Sequence, residues 1–236
     1  MYKVVWIARY TKNKSREEAD RYWEEVHGPM FAKVPGVQRY VQSHVTGPLP
    51  LVTGVAEEET HFDGYSCAWW ADKEAFLRSM ESPEWQAVVD DGAEVFDMEW
   101  LWNMSAQIEE VVQVDGPVAP YKVVWVMRFR EGMDKKAADD HWTNVHGPIF
   151  HGLPIERYVQ NHVVGPIGAE GDSNAEIGFD GFSECWFRDE AQFLEAVNSE
   201  AWARAVEDVP NLFDGSALWG AALREVVIKD AAQPVS

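Results

Sequence analysis

Hydrophobic and polar positions along the chain change rhythm in a fixed order, and that order occurs twice. Residues 4–8 form a β-branched and aromatic run, which predicts a strand. Helical spacing follows: Ala19, Tyr22, Trp23 and Val26 fall at i, i+3, i+4 and i+7, one apolar stripe. Ser15 and Glu18 open this helix as a capping box. Gly28-Pro29 is expected to stop it, with Gly28 supplying a left-handed exit that Pro29 cannot extend. Strict alternation over 39–45 predicts a second strand, and 65–70 a third. Asp72 caps a second helix, which Ser82-Pro83 restarts, and 100–111 read as a fourth strand.

The second half runs through the same sequence of elements. Trp23-x-x-x-His27-Gly28-Pro29 returns as Trp142-x-x-x-His146-Gly147-Pro148, and Arg39-Tyr40-Val41-Gln42-Ser43-His44 as Arg157-Tyr158-Val159-Gln160-Asn161-His162. Asp134 caps the copied first helix, Asp189 and Ser199 the second, and strands are expected over 157–163, 182–187 and 217–227. Two long acidic loops, 47–61 and 165–178, both open on Gly-Pro and have the length of functional loops. The chain therefore divides into repeat 1 (1–112), a linker (113–120) holding Asp115-Gly116-Pro117, and repeat 2 (121–236). Each repeat reads as β-α-β-β-α-β, so the fold class is α+β: two ferredoxin-like units. Each sheet has helices on one face only. Burying the two bare faces against each other gives a barrel-like body, with a cavity expected on the inner side of each sheet.

Composition narrows the functional classes. At 46% hydrophobic residues the chain can build a full core. Twelve Trp, most at matching positions such as Trp69 and Trp186, fill that core or wall an aromatic ligand cavity. A net charge of −20 opposes nucleic acid and anionic membrane as partners and suits a neutral substrate better than a strongly anionic one; with the Trp residues as cavity walls, the expected partner is a small apolar or aromatic molecule. A homodimer is the assembly to consider. Cys67 and Cys185 read as two reduced, buried thiols. The first ten residues show no signal peptide and no stretch approaches ~20 apolar residues, so a cytoplasmic location is expected.

The candidate chemistry lies in histidine. Tyr40, Gln42 and His44 share one side of the second strand, as do Tyr158, Gln160 and His162, and adjacent polar groups on a buried face need partners. They either satisfy one another inside a core or present a hydrogen-bonding wall to a cavity, with His44 or His162 as general acid or base. His27 and His146 either cap helix carbonyls or act in the site. Asp63 and Asp180, in Phe-Asp-Gly, read as turn formers. Glu184 stands mid-strand where repeat 1 has Cys67, so it faces a wet cavity or is paired, and it directs attention to repeat 2. No metal-ligand spacing and no nucleotide or serine-hydrolase motif appears.

Strand one, the Trp-x-x-x-His-Gly-Pro helix end and the Tyr-x-Gln-x-His strand resemble the EthD-like family of dimeric α/β-barrel proteins, in both halves. The resemblance implies a small cofactor-free enzyme acting on aromatic or polyketide-like compounds, with His27/His146 and the Tyr40-Gln42-His44 strand and its copy as the site. Two departures matter. Relatives of the olivetolic-acid-cyclase type carry a catalytic His in the late helix, where this chain has Trp85 and Trp202. Haem-binding relatives carry Gly-x-x-Asp-Gly, and Thr60 and Ile177 here replace the first Gly, which argues against haem. The resulting expectation is a lyase or isomerase without cofactor, using His44 or His162 on an acidic C–H or hydroxyl while Tyr40/Tyr158 and Gln42/Gln160 hold the oxyanion. The alternatives are a non-catalytic aromatic-ligand-binding protein beside an oxygenase, and a cofactor-free monooxygenase.

Overall fold

A computed structural model describes residues 1–49, 60–167 and 177–230. Most of the two acidic loops singled out in the sequence lies outside the described residues. Repeat 1 runs β1 (Tyr2–Ala8), α1 (Arg16–Tyr22), a π-helical turn (Trp23–His27), α2 (Gly28–Phe31), β2 (Arg39–Gly47), β3 (Gly64–Trp70), α3 (Lys73–Met80), α4 (Pro83–Gly92), α5 (Met98–Asn103) and β4 (Ser105–Val114). Repeat 2 runs β5 (Tyr121–Phe129), α6 (Lys135–His141), a second π-helical turn (Trp142–His146), α7 (Gly147–Ile149), β6 (Arg157–Gly165), β7 (Gly181–Phe187), α8 (Glu190–Val197), α9 (Glu200–Leu212) and β8 (Phe213–Asp230).

The eight strands close into one antiparallel barrel in the order β1-β3-β2-β8-β5-β7-β6-β4. Each repeat contributes one four-stranded sheet. The sheets are stitched by pairing across repeats, β4 with β6 and β8 with β2, so neither keeps a free edge. Val5, Ile7, Val41, Val124 and Val126 fill the barrel interior. The helices cover the outside of each sheet over separate aromatic cores. The expected caps all form: Ser15 and Glu18 make the reciprocal capping box, and Asp72, Ser82, Asp134, Asp189 and Ser199 each accept a first-turn backbone N–H.

Two local expectations are corrected. Gly28 does not leave the helix left-handed. Its φ of −59° is helical, and the chain passes through the π-turn into α2, with Pro29 in the first turn of α2, where no N–H is needed. Gly28 is required for space instead: a Cβ would lie 2.5 Å from Gln42 Nε2 and 2.9 Å from the Trp23 carbonyl oxygen. The start of the predicted fourth strand is likewise helical. Asp97 caps α5 by accepting the Trp100 N–H at 3.2 Å, which delays β4 until Ser105. In repeat 2 the matching Asp214 turns onto Ser216 across Gly215, and the chain stays extended from Phe213.

Candidate functional site

The Tyr-Gln-His rows face the helices, not the barrel interior as expected. Alternation decides only that Tyr40, Gln42 and His44 share a side. Their acceptors lie on the helices, while Val41, Ser43 and Val45 take the interior. His44 is 1% exposed, lies against Trp23 with ring centroids 4.5 Å apart, and bonds through Nδ1 to Asp20 at 2.9 Å and through Nε2 to Gln42 Oε1 at 3.1 Å. His162 repeats the arrangement with Asp139 at 2.8 Å. Its Nε2 is buried without a partner, because Gln113 Nε2 donates to Gln160 Oε1 at 3.0 Å. Among the described residues, neither histidine lines the cavity beside His27 or the one beside His146. Gln42 and Gln160 brace the π-turns: each Nε2 donates to the turn's first carbonyl, Trp23 O at 3.0 Å and Trp142 O at 2.8 Å.

Between each sheet and its helices lies a pocket with His27 or His146 in its wall. The π-turn places the histidine there, and such turns recur at functional sites. In repeat 2 the cavity measures about 250 Å³, walled by Trp125, Trp142, Phe150, Tyr158, Trp202 and Phe213, with Ser183 at the sheet. In repeat 1 it is about 40 Å³, narrowed by Met98, Leu101 and Trp102 of α5. Among the described residues, the wall of the larger cavity carries no Lys or Arg to hold a phosphate or propionate. Among the described residues no group of three or more His, Cys, Asp or Glu could hold a metal.

His146 Nδ1 lies 3.0 Å from Asp208 Oδ2, and His27 Nδ1 lies 2.8 Å from Asp91 Oδ2. Burial pulls the His146 pKa below its ordinary value, outweighing the attraction of Asp208. The ring is therefore neutral at pH 7, with the Nδ1 proton donated to Asp208 and the Nε2 lone pair free of protein hydrogen bonds among the described residues. Asp208 is also bonded by His141 and Asn211, whereas Asp91 has the Tyr22 hydroxyl at 2.7 Å. Tyr158 lines the same cavity. Its oxygen accepts from Trp142 Nε1 and Gln160 Nε2, both at 3.3 Å, and burial raises its pKa, so the phenolic proton stays and remains available as a donor. Tyr40 is held in the same way by Trp23 and Gln42.

Glu184, Trp69 and Trp186 lie elsewhere, inside the barrel. Glu184 bonds to Lys122 at 2.6 Å, accepts from Tyr65 at 2.6 Å and Asn161 at 3.0 Å, and has Lys3 at 3.8 Å. It is the paired mid-strand carboxylate, not a member of the repeat 2 cavity. Burial alone would raise its pKa; the two ammoniums outweigh that and hold it at about 2. Asp63 and Asp180 orient no histidine: they accept the backbone N–H groups of Tyr10 (2.7 Å) and Phe129 (2.8 Å). Sequence reasoning missed Asp91 and Asp208. The available signal was their common position in the late helices, each six residues after the paired Trp85 and Trp202.

No helix among the described residues is long and apolar enough to cross a membrane. No curated protein matches the sequence. Among solved structures, an anthrone oxidase-like protein superposes on 100% of this chain and 94% of its own, with a TM-score of 0.66 at 12% identity. A candidate monooxygenase from Fusobacterium nucleatum covers 97% of this chain and 92% of its own (TM-score 0.57, 12% identity). Another from Lactobacillus acidophilus covers 98% and 96% (TM-score 0.51, 11% identity). At such identities the likeness is one of fold, the dimeric α/β barrel. The EthD domain matches twice, over residues 12–99 and 130–216, and the chain belongs to the EthD family as a tandem pair within one polypeptide.

Proposed function

We propose that this chain is a cofactor-independent enzyme of the lyase or isomerase class, working in the repeat 2 cavity on a small aromatic or polyketide-like molecule. The observation that carries the reading is His146: a neutral imidazole, fixed by Asp208, with its free nitrogen at the wall of an aromatic cavity. In this role Nε2 takes a proton from an acidic C–H or hydroxyl, and Asp208 holds the tautomer and stabilises the imidazolium that forms. Tyr158 donates its free O–H to the developing oxyanion. At about 250 Å³ the cavity falls just below the usual ~300 Å³ floor of ligand pockets, which suits substrates of one to three rings. His44 and His162 are supports beneath Trp23 and Trp142 in this reading, and His146 takes over the role the sequence had suggested for them.

The test uses a panel of aromatic ketones with acidic benzylic C–H bonds, 2-tetralone and anthrone among them, incubated in D2O and followed by NMR. Deuterium uptake accelerated by the native chain, lost in His146→Gln and kept in His27→Gln, is the expected result. Ketones that quench tryptophan fluorescence on binding yet exchange no faster than in buffer would sink catalysis and leave a binding protein. Oxygen uptake in the same samples would reassign the proton abstraction to a monooxygenase reaction.

A further inference from the structure

Asp208 holds two histidines, not one. His141, the last residue of α6, places Nε2 3.0 Å from both oxygens of the carboxylate, while His146 Nδ1 lies 3.0 Å from Oδ2. Asn211 Nδ2 completes the set at 3.2 Å from Oδ1. The matching position in repeat 1, just before the Trp of the π-turn, is Tyr22, whose hydroxyl donates to Asp91 Oδ1 at 2.7 Å. A phenol there donates without ever becoming a cation. His141 donates to Asp208 through Nε2, so in its neutral form Nδ1 carries the lone pair, and a proton taken up at Nδ1 leaves the bond to Asp208 in place.

The His141 side chain is 26% exposed and that of His146 7%. Of two rings on one carboxylate, the one nearer water is charged first as pH falls, because burial opposes the charged form. Among the described residues two charged groups act on His146: Asp208 from α9, which favours its imidazolium, and His141 from α6, which opposes it. Neutral groups stand around the rest of the ring, Ser183 and Tyr158 from the sheet and Phe150 and Phe213 against its faces and edges. Other ions of α6 pair with each other: Lys135 with Asp139, which also holds His162, and Lys136 with Asp140. Charging His141 therefore cancels part of the pull of Asp208, and the two rings titrate as a coupled pair.

We infer that His141 is a positioning residue of this site: it shares Asp208 with His146 and keeps the His146 nitrogen free to take a substrate proton at lower pH than Asp208 alone would allow. Its part in catalysis rests on His146 being the base proposed above. To test it, the 15N-histidine-labelled full chain is titrated by NMR, with His146 assigned by the loss of its signal in His146→Gln. In His141→Tyr, which installs the repeat 1 residue, the His146 midpoint should rise by about half a pH unit, about a threefold gain in proton affinity and the size of a part-exposed charge pair. The direction separates this role from a merely structural one, because an Asp208 left loose would hold the imidazolium less well and lower the midpoint. An unmoved midpoint, or a lower one, would overturn the proposal. His141→Gln, also uncharged, decides in the same way if His141→Tyr does not fold. The acid limb of ketone exchange should rise with the midpoint; a limb that stays put while the midpoint rises would remove His146 as the base and leave the coupling to His141 standing.

Discussion

Replacing Glu184 by Gln removes the one carboxylate that both interior lysines share. Glu184 is fully enclosed, with Lys122 at 2.6 Å, Lys3 at 3.8 Å and hydrogen bonds from Tyr65 and Asn161. The fall of its pKa from the ordinary 4.5 to about 2, at ~1.4 kcal/mol for each tenfold change in proton affinity, corresponds to ~3 kcal/mol of stability at neutral pH. Breaking one partner of a buried pair costs ~3–5 kcal/mol, which agrees. Because the folded carboxyl is the stronger acid, the unfolded chain takes up the proton first as pH falls. The contribution is therefore complete above pH 4.5 and lost as pH drops towards 2. Urea denaturation followed by tryptophan fluorescence should show Glu184→Gln less stable by ~3 kcal/mol at pH 7, with the gap to the native chain closing through that window. Glu110→Gln, whose side chain is 39% exposed beside Lys3, should cost no more than ~1 kcal/mol. A Glu184→Gln gap below ~1 kcal/mol at pH 7, or one that stays constant down to pH 3, would refute the assignment of Glu184 as the anchor of the interior charges.

Three further outcomes are expected. Asp208→Asn should lower kcat by a factor of ~100 or more while leaving ligand affinity near native, since it disturbs the tautomer of His146 and not the aromatic walls. In the native chain the acid limb of kcat/KM should fall below pH 6.5, the ordinary histidine value, because burial lowers the His146 pKa; a limb above 6.5 would remove His146 as the base. Gly181→Ala would set a Cβ 2.5 Å from Trp142 Cζ3 and 2.8 Å from the Asn161 carbonyl oxygen. It should destabilise by ~1–3 kcal/mol in urea melts, whereas Gly165→Ala, with nothing within 4 Å among the described residues, should stay within ~0.5 kcal/mol of native.

The repeat, the caps and the strands were legible because each rests on local chemistry: a side-chain oxygen two or three residues from the N–H it satisfies, or a period of two. What was not legible depended on partners distant in sequence. The row of Tyr40, Gln42 and His44 announces a shared face, but Asp20 on α1 fixes which face, through a bond between residues 24 apart. The same holds for the dyad of the candidate site, since Asp208 meets His146 across 62 residues. Glu184 was visibly anomalous in the middle of a strand, and of its two readings, wet or paired, the choice lay with Lys122 on β5. Gly28-Pro29 looked like a stop because a π-turn has no local signature. The helix widens there, and Gln42 comes close enough to brace the turn only because position 28 has no Cβ.

The difference between the repeats also bears on how one of two near-identical sites becomes the larger. Both keep the His-Asp pair, the Trp of the π-turn, the Tyr and the Ser. They diverge after Phe96 and Phe213. Asp97 caps α5, which drives Met98, Leu101 and Trp102 into the first pocket. Asp214 is followed by Gly215, a poor helix former, and the chain instead extends into β8, where it pairs with both β5 and β2. Ala205 stands where repeat 1 has Val88, while Met127 against Ala8 and Val209 against Gly92 return some of the space. That turn therefore withdraws the helix that would fill the second cavity, while the barrel is stitched across the repeats alike by β4, which follows α5, and by β8, which follows no such helix. On this reasoning, substitutions at His27 and His146 are not equivalent although an aspartate holds each ring, because a positioned base acts only where there is room beside it for a substrate.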